Sequence, residues 1–439
     1  MSSELIKECT KRRQILRERM LPNSIAVIPA ANMVTRSNDT EFPFRQDSDF
    51  HYLSGFPEAD AYLVISNSPL MGDVFSALFC LPKDELAEIW QGRRIGAEAA
   101  PADYEVDIAH PLDDILVGLT SYLNGHENLY FARGHHGPSD ALMDEVLVNL
   151  RNAPKQSKIA PSCEFDIRIL LHEMRLFKSD FEISIMRQAA EISCDAHIAA
   201  MKFSEVGKNE FHLEATIHHH FAMHGAKSPA YSTIVGSGDN GCILHYTENN
   251  CELQDNTLVL IDAGAELQGY AADITRTFPV NGRFSEPQKA LYQLVLDAQL
   301  ASFAMFKPGS TFKAASDKAI EVLTRGLIEL GLLSGDLEDN IEQQNYRQFF
   351  MHGLGHWLGL DVHDVGNYKV AGADREFEPG MVMTVEPGLY VSETAEVDPK
   401  WKGIGIRIED NIVITEDGYE VLTDKVPKTI ADIENLMAN

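Results

Sequence analysis

The sequence predicts two domains of different class: an α/β domain over residues 1–174 and an α+β domain over residues 175–439. Three observations carry this. The 439 residues exceed what a single hydrophobic core usually spans. Up to about residue 170, short apolar runs alternate with amphipathic stretches, the pattern of strands and helices in a mixed or parallel sheet. From Phe177 onward the texture changes, and strand-like runs come in blocks on either side of paired helices.

Residues 3–20 read as an amphipathic helix, with Leu5, Ile6, Ile15, Leu16 and Met20 recurring at helical spacing. Strand-like runs follow at 24–30, 61–66 and 76–82, separated by Asn, Asp, Gly and Pro. Helical patterns at 111–123 and 139–151 bracket a strand at 128–132. The second domain opens with a long helix over 180–203, and a second helix covers 209–224. Strands are expected at 231–236, 257–262 and 272–279, then helices at 287–306 and 312–330, then strands at 381–386 and 405–415. That order suggests helices covering one face of an antiparallel sheet.

With 37 Lys and Arg against 66 Asp and Glu, the net charge is −29. So acidic a surface argues against nucleic acid and anionic membranes as partners. The six cysteines show no C-x-x-C spacing and read as buried, reduced thiols of a cytoplasmic protein. The N-terminus is charged from its first turn, without the apolar core of a signal peptide, and no run reaches membrane-spanning length. His218–His220 look like a metal tract. Consecutive helical residues point about 100° apart, however, so the three cannot all face one ion.

The chemistry gathers around residues 351–364, M-H-G-L-G-H-W-L-G-L-D-V-H-D, which hold His352, His356 and His363. Four carboxylates close other apolar runs: Asp262 in L-V-L-I-D-A-G, Asp273 in A-A-D-I-T-R-T-F, Glu386 in V-E-P-G and Glu409 in I-R-I-E-D. Four carboxylates and one imidazole suit a first shell for hard divalent cations. Asp262 and Asp273 are eleven apart. A hairpin turning between Leu267 and Gln268 would set them directly opposite each other on one face. Period-two alternation along G-I-G-I-R-I-E puts Gly403, Gly405, Arg407 and Glu409 on one face, with Arg407 able to brace a carboxylate. The four carboxylates carry −4, so one divalent ion would leave −2 in a confined site, whereas two balance it. Oxygen-rich ligation suits Mn²⁺ better than structural Zn²⁺, and two such ions point to metal-assisted hydrolysis.

These residues resemble the metallopeptidases of the pita-bread (creatinase/aminopeptidase) fold, and among them the bacterial-type aminopeptidase P family. The likeness extends beyond the site. R-Q-D-S-D-F-H-Y-L-S-G-F (45–56) and A-E-I-W-Q-G-R-R (87–94) resemble that family's N-terminal domain, and H-E-M-R-L-F-K-S (172–179) its junction. I-V-G-S-G-D-N-G-C-I-L-H-Y-T-E-N (234–249) resembles the strand leading to the site. The resemblance implies hydrolysis of the bond between an N-terminal residue and a following proline, by a hydroxide bridging two divalent ions. Asp262, Asp273, His356, Glu386 and Glu409 fall on the five metal ligands, with Asp273 and Glu409 bridging. His245 and His363 match histidines that hold the substrate and the developing oxyanion, and His352 matches one lining the proline pocket. Glu386 would shuttle the proton. Arg407 and Tyr390 match positions just behind the ligands, joined by Asp39 from the N-terminal domain. Tyr231 and Trp90 are candidates to shape the substrate pocket, with core packing as the other reading of each. A homo-oligomer, a tetramer with N-terminal domains at its contacts, is also implied. The rival within the fold is a prolidase acting on Xaa-Pro dipeptides; the rival from another class is a pita-bread domain that serves only as a binding module.

Overall fold

The computed structural model describes residues 3–72 and 75–438 and divides into two compact units, Met1–Met174 and Arg175–Asn439. The first unit is built on a six-stranded mixed sheet in the order Ile108–Pro111, Ser76–Cys80, Tyr62–Ser66, Ser24–Pro29, Asn128–Tyr130, Cys163–Phe165. Ser24–Pro29 lies inside the sheet, antiparallel to Tyr62–Ser66 and parallel to Asn128–Tyr130. All six of its residues are buried, so it reads as a continuous apolar run rather than an alternating one. Ile25, Val27, Val64 and Phe79 pack against Leu119 and Leu123 of the helix Ile115–Leu123 and Val146 and Leu150 of the helix Gly137–Arg151.

The helix expected from residue 111 starts later. Ile108–Pro111 is the terminal strand of the sheet, parallel to Ser76–Cys80, and the chain then turns into Ile115–Leu123. Proline is tolerated there because an edge strand needs no N–H on its open side. Core packing of Trp90 is also contradicted. It lies on the short helix Glu85–Gln91, where Leu86, Ile89 and Trp90 are 75%, 74% and 88% exposed. Of the cysteines, all free, Cys163 and Cys251 are exposed rather than buried.

In the second unit, the helix Asp180–Phe203 begins at a capping box in which Ser179 and Glu182 satisfy each other's backbone N–H groups. Helix Glu210–Met223 packs against it. Among the described residues every strand pair of this unit is antiparallel. One three-stranded sheet runs Ile234–Ser237, Leu258–Asp262, Thr275–Pro279. After the helices Glu286–Phe303 and Phe312–Glu329, Val382–Val385 pairs with Asp410–Thr415, and Gly388–Val391 pairs with Ile404–Arg407. The strand expected over 405–415 is therefore two strands. Pro387 has no N–H to continue the ladder, and beside Ile408, its opposite number, the Glu409 N–H leaves for the Thr275 carbonyl at 3.0 Å. Trp357, Leu358 and Leu360 are buried, Trp357 stacking on Tyr368, which fits their reading as core.

Candidate metal centre

Two breaks in regular pairing set the carboxylates. The first follows Leu258–Asp262, which pairs with Thr275–Pro279 in a register that places Asp262 opposite Thr275, not opposite Asp273. The hairpin turns one residue later than expected, at Gln268–Gly269, both with positive φ (52° and 89°), as a tight two-residue turn requires. The aspartates are therefore diagonal neighbours that still share a face. Gly264 makes the chain path possible, since a Cβ there would come 1.7 Å from the Ala272 carbonyl oxygen. The second break is the ladder change at Pro387. Val385 pairs with Asp410 and Gly388 with Arg407, so the register is the same on both sides. It sets Glu386 opposite Glu409.

His356 arrives from the loop. Its backbone N–H donates to Thr384 Oγ1 (3.0 Å) and the Thr384 N–H donates to its carbonyl (2.9 Å). Its Nδ1 donates to the Trp357 carbonyl at 3.0 Å, which leaves the Nε2 lone pair facing Asp273 Oδ2 (3.4 Å) and Glu386 Oε1 (3.5 Å). Ligand atoms of Asp273, His356 and Glu409 lie within 4.8 Å of one another.

The electrostatics fit a cation. Burial, then the charge of Asp273, holds Glu409 well above the ordinary carboxylate range. Burial, then Asp262, raises Asp273. Burial pushes Glu386 up to about 7 despite His356 and Arg407. Asp262 alone falls below its usual value, because Arg407 and the Tyr231 hydroxyl outweigh its burial. Burial opposes a charged His356, yet Asp273 and Glu386 lift it to about 9. Three buried carboxylates that resist ionising beside one imidazole drawn toward protonation form a site that calls for positive charge. This donor set fits two divalent cations.

The flanking groups are those the sequence singled out. Arg407, fully buried, donates to Asp262 Oδ2 (2.6 Å), Thr275 Oγ1 (3.0 Å) and the Tyr390 hydroxyl (2.9 Å). The Tyr231 hydroxyl stands 2.6 Å from Asp262 and 2.5 Å from Asp273, sharing its one proton, and its pKa is raised well above the usual value, by burial first. His352 Nε2 is 2.8 Å from the Tyr390 hydroxyl, and burial together with Arg407 pushes its pKa down to about 4. His363 packs edge-on against His356, 4.3 Å between ring centroids, its pKa lowered by burial and by that neighbour. Arg407, Tyr231, His352 and His363, with His245, Leu244, Ile234 and Thr247, line a cavity of about 590 Å³. Asp39 and Trp90 belong to the first unit, where both are exposed. His218 bonds Thr233 and His220 stacks on His224, so the triple-histidine run is no single chelate.

The sequence reading missed three supports. Thr275 Oγ1 donates to Glu409 Oε2 (2.6 Å), and Thr384 Oγ1 to Glu386 Oε1 (3.3 Å). Asn411 Oδ1 accepts the Asp273 N–H (3.0 Å) while its amide donates to the Asp273 carbonyl. Each lies two residues along the chain from a carboxylate, and the period of two was the available signal.

A cavity walled by buried carboxylates and imidazoles, with donors fit for two divalent ions, defines a metallohydrolase. The chain belongs to metallopeptidase family M24, whose model matches residues 184–416, and the aminopeptidase P N-terminal domain matches residues 9–130. It is 50% identical to the Xaa-Pro aminopeptidase of Escherichia coli over 100% of this chain and 99% of that protein. To the Haemophilus influenzae Xaa-Pro aminopeptidase it is 47% identical, covering 98% and 97%. Among solved structures, aminopeptidase PepP of Pseudomonas aeruginosa superposes with a TM-score of 0.97 at 46% identity, covering 99% and 98% of the chains. Zinc-substituted E. coli aminopeptidase P in complex with product superposes at 0.96 with 50% identity, over the same shares. The two-domain architecture with a pita-bread catalytic domain is that of this family.

Proposed function

We infer that this chain is a metal-dependent Xaa-Pro aminopeptidase, releasing the N-terminal residue of peptides with proline at the second position. The observation that carries the reading is the single cavity on which Asp262, Asp273, His356, Glu386 and Glu409 converge, in a chain half identical throughout to an enzyme of that activity. In our reading those five residues hold two Mn²⁺ ions. Bound there, the ions supply Lewis acidity that polarises the scissile carbonyl and activates water.

The chain's own groups do the rest. His352, held near a pKa of about 4, and His363, also lowered, are neutral at physiological pH and offer hydrogen bonds without adding charge. With His245, His363 holds the substrate and the carbonyl oxygen as it gains negative charge, and His352 lines the proline pocket. The leaving nitrogen belongs to a tertiary amide, so the C–N bond breaks only if that nitrogen gains a proton. Glu386 can take a proton from the attacking water and deliver it there. Arg407 and Tyr390 fix Asp262 and His352 from behind. Exposed Leu86, Ile89 and Trp90 support a homo-oligomer, a tetramer in our reading, because so apolar a helix face is suited to being covered. No described helix is long and apolar enough to cross a membrane, and we place the enzyme in the cytoplasm.

The test is proline-bond cleavage after dialysis against chelator and re-addition of Mn²⁺, with an Xaa-Pro dipeptide and an Xaa-Pro-Xaa peptide side by side. Metal-restored release of the first residue from the longer peptide is expected. Cleavage of the dipeptide alone would make it a prolidase, and cleavage of neither, with no metal retained, would leave a binding module.

A further inference from the structure

His245 sits on the segment 237–251, and one buried carboxylate ties that segment down. Glu210, the first residue of the helix Glu210–Met223, is fully buried. Its Oε1 accepts from Ser237 N (2.8 Å), Ser237 Oγ (2.7 Å) and Asn240 Nδ2 (3.1 Å). Its Oε2 accepts from the Tyr246 hydroxyl (2.9 Å) and Cys251 N (2.9 Å). The donors come from the start of the segment, its first turn, its middle and its end. Asn249 adds a separate anchor, accepting from Val235 N and donating to the Thr233 carbonyl, both at 2.9 Å. The turn also presses on the strand that carries Arg407, since a Cβ on Gly405 would come 2.2 Å from the Gly241 carbonyl oxygen. Between these anchors, Leu244, His245 and Thr247 face the cavity.

Burying a carboxylate is costly unless its oxygens are satisfied, and here the satisfying groups lie in segments that nothing in the local sequence would otherwise bring together. His245 is exposed, whereas Tyr246, the next residue, is buried and bonded to Glu210. The ring of Tyr246 and its bond therefore set where the backbone of His245 can be. We propose that Glu210 and Tyr246 are positioning residues for substrate engagement, fixing His245 against the metal-binding carboxylates; this rests on the reading of His245 as a substrate-holding group. A glutamine at 210 could not replace the carboxylate. With its oxygen toward Ser237, its NH₂ would meet the Cys251 N–H, a backbone donor that cannot reverse.

The experiment is a double-mutant cycle on the metal-loaded full chain, measuring kcat and KM on an Xaa-Pro-Xaa peptide together with Tm and bound metal. Tyr246→Phe is the mild arm, since it keeps the ring and removes one of the five bonds, and Glu210→Gln is the severe one. Tyr246→Phe is expected to lower kcat/KM about tenfold, as a misplaced substrate contact does, with metal content unchanged. The double variant Tyr246→Phe with His245→Ala should lose no more than His245→Ala alone. If the two losses multiply, or if Tyr246→Phe and Glu210→Gln both turn over normally, the positioning role is overturned while His245 keeps its own. If His245→Ala alone turns over normally, the reading of His245 fails and the inference falls with it.

Discussion

Asp364→Asn tests whether the loop bearing His356 and His363 is held by buried charge. Lys178 Nζ lies 2.9 Å from Asp364 Oδ2, each side chain 1% exposed, and Arg175 NH2 lies 2.6 Å from Asp364 Oδ1. Burial alone would raise the Asp364 pKa, but Lys178 and Arg175 bring it below the usual value, so the carboxylate is ionised in the fold. Arg175 also reaches Asp361 Oδ2 at 2.7 Å, so the amide substitution bears most heavily on the Lys178 ammonium. Removing one partner of a buried pair costs about 3–5 kcal/mol, because the remaining charge stays out of water. For a domain of this size that is a fall in Tm of about 10 °C. Chemical denaturation followed by circular dichroism reads the loss. Adding Lys178→Met to Asp364→Asn should recover most of it, since an apolar replacement removes the stranded charge. A single-variant loss under about 1 kcal/mol, or a double variant less stable than Asp364→Asn, would refute the reasoning.

Three further outcomes follow. His356→Ala and Glu386→Ala should each abolish turnover on an Xaa-Pro-Xaa peptide while leaving the circular dichroism spectrum unchanged; ordinary turnover by either would remove it from the site. His197 is fully buried, its Nε2 donating to the Ala263 carbonyl at 2.9 Å, and burial pushes its pKa down to about 4 from 6.5. The unfolded chain then binds the extra proton first, so stability is intact above pH 6.5 and falls toward pH 4 by 6.5 − 4, about 2.5 pH units, or roughly 3 kcal/mol. His197→Gln should flatten that part of the stability–pH curve, and an unchanged slope would count against it. Tyr231→Phe should weaken metal binding about tenfold, read by titrating Mn²⁺ into the metal-free protein, because the hydroxyl that orients Asp262 and Asp273 is gone.

What the sequence revealed of the fold depended on whether the deciding signal was local. The helix Asp180–Phe203 starts where expected because Ser179 and Glu182, three residues apart, write its start locally. The spacing of the two aspartates points one residue too early for the hairpin, because the turn at Gln268–Gly269 is set by two positive-φ positions and not by the aspartates facing each other. The break between Arg407 and Asp410 was hidden because its cause, Pro387, lies about twenty residues away. Each carboxylate of the site was visible as the polar end of an apolar run. Thr275, Thr384 and Asn411 were not, since an uncharged residue two positions from a carboxylate looks like any other strand residue. Glu85–Gln91 went unread because its apolar residues, although helically spaced, face outward.

The interrupted ladder has a consequence for how this chain can vary. Glu386 and Glu409 face each other only because the register before Pro387 equals the register after it. A single residue inserted or deleted between Val382 and Val391, or between Ile404 and Thr415, would turn every following side chain to the opposite face of its strand. One carboxylate would then point into the core and an isoleucine or valine into the cavity. Substitutions in these strands can be graded in their effect, but changes in length cannot. The distance from Val382 to Thr415 is free to change only between Gly388–Val391 and Ile404–Arg407, in the mostly exposed turn at 392–400, where added residues displace no partner in either ladder.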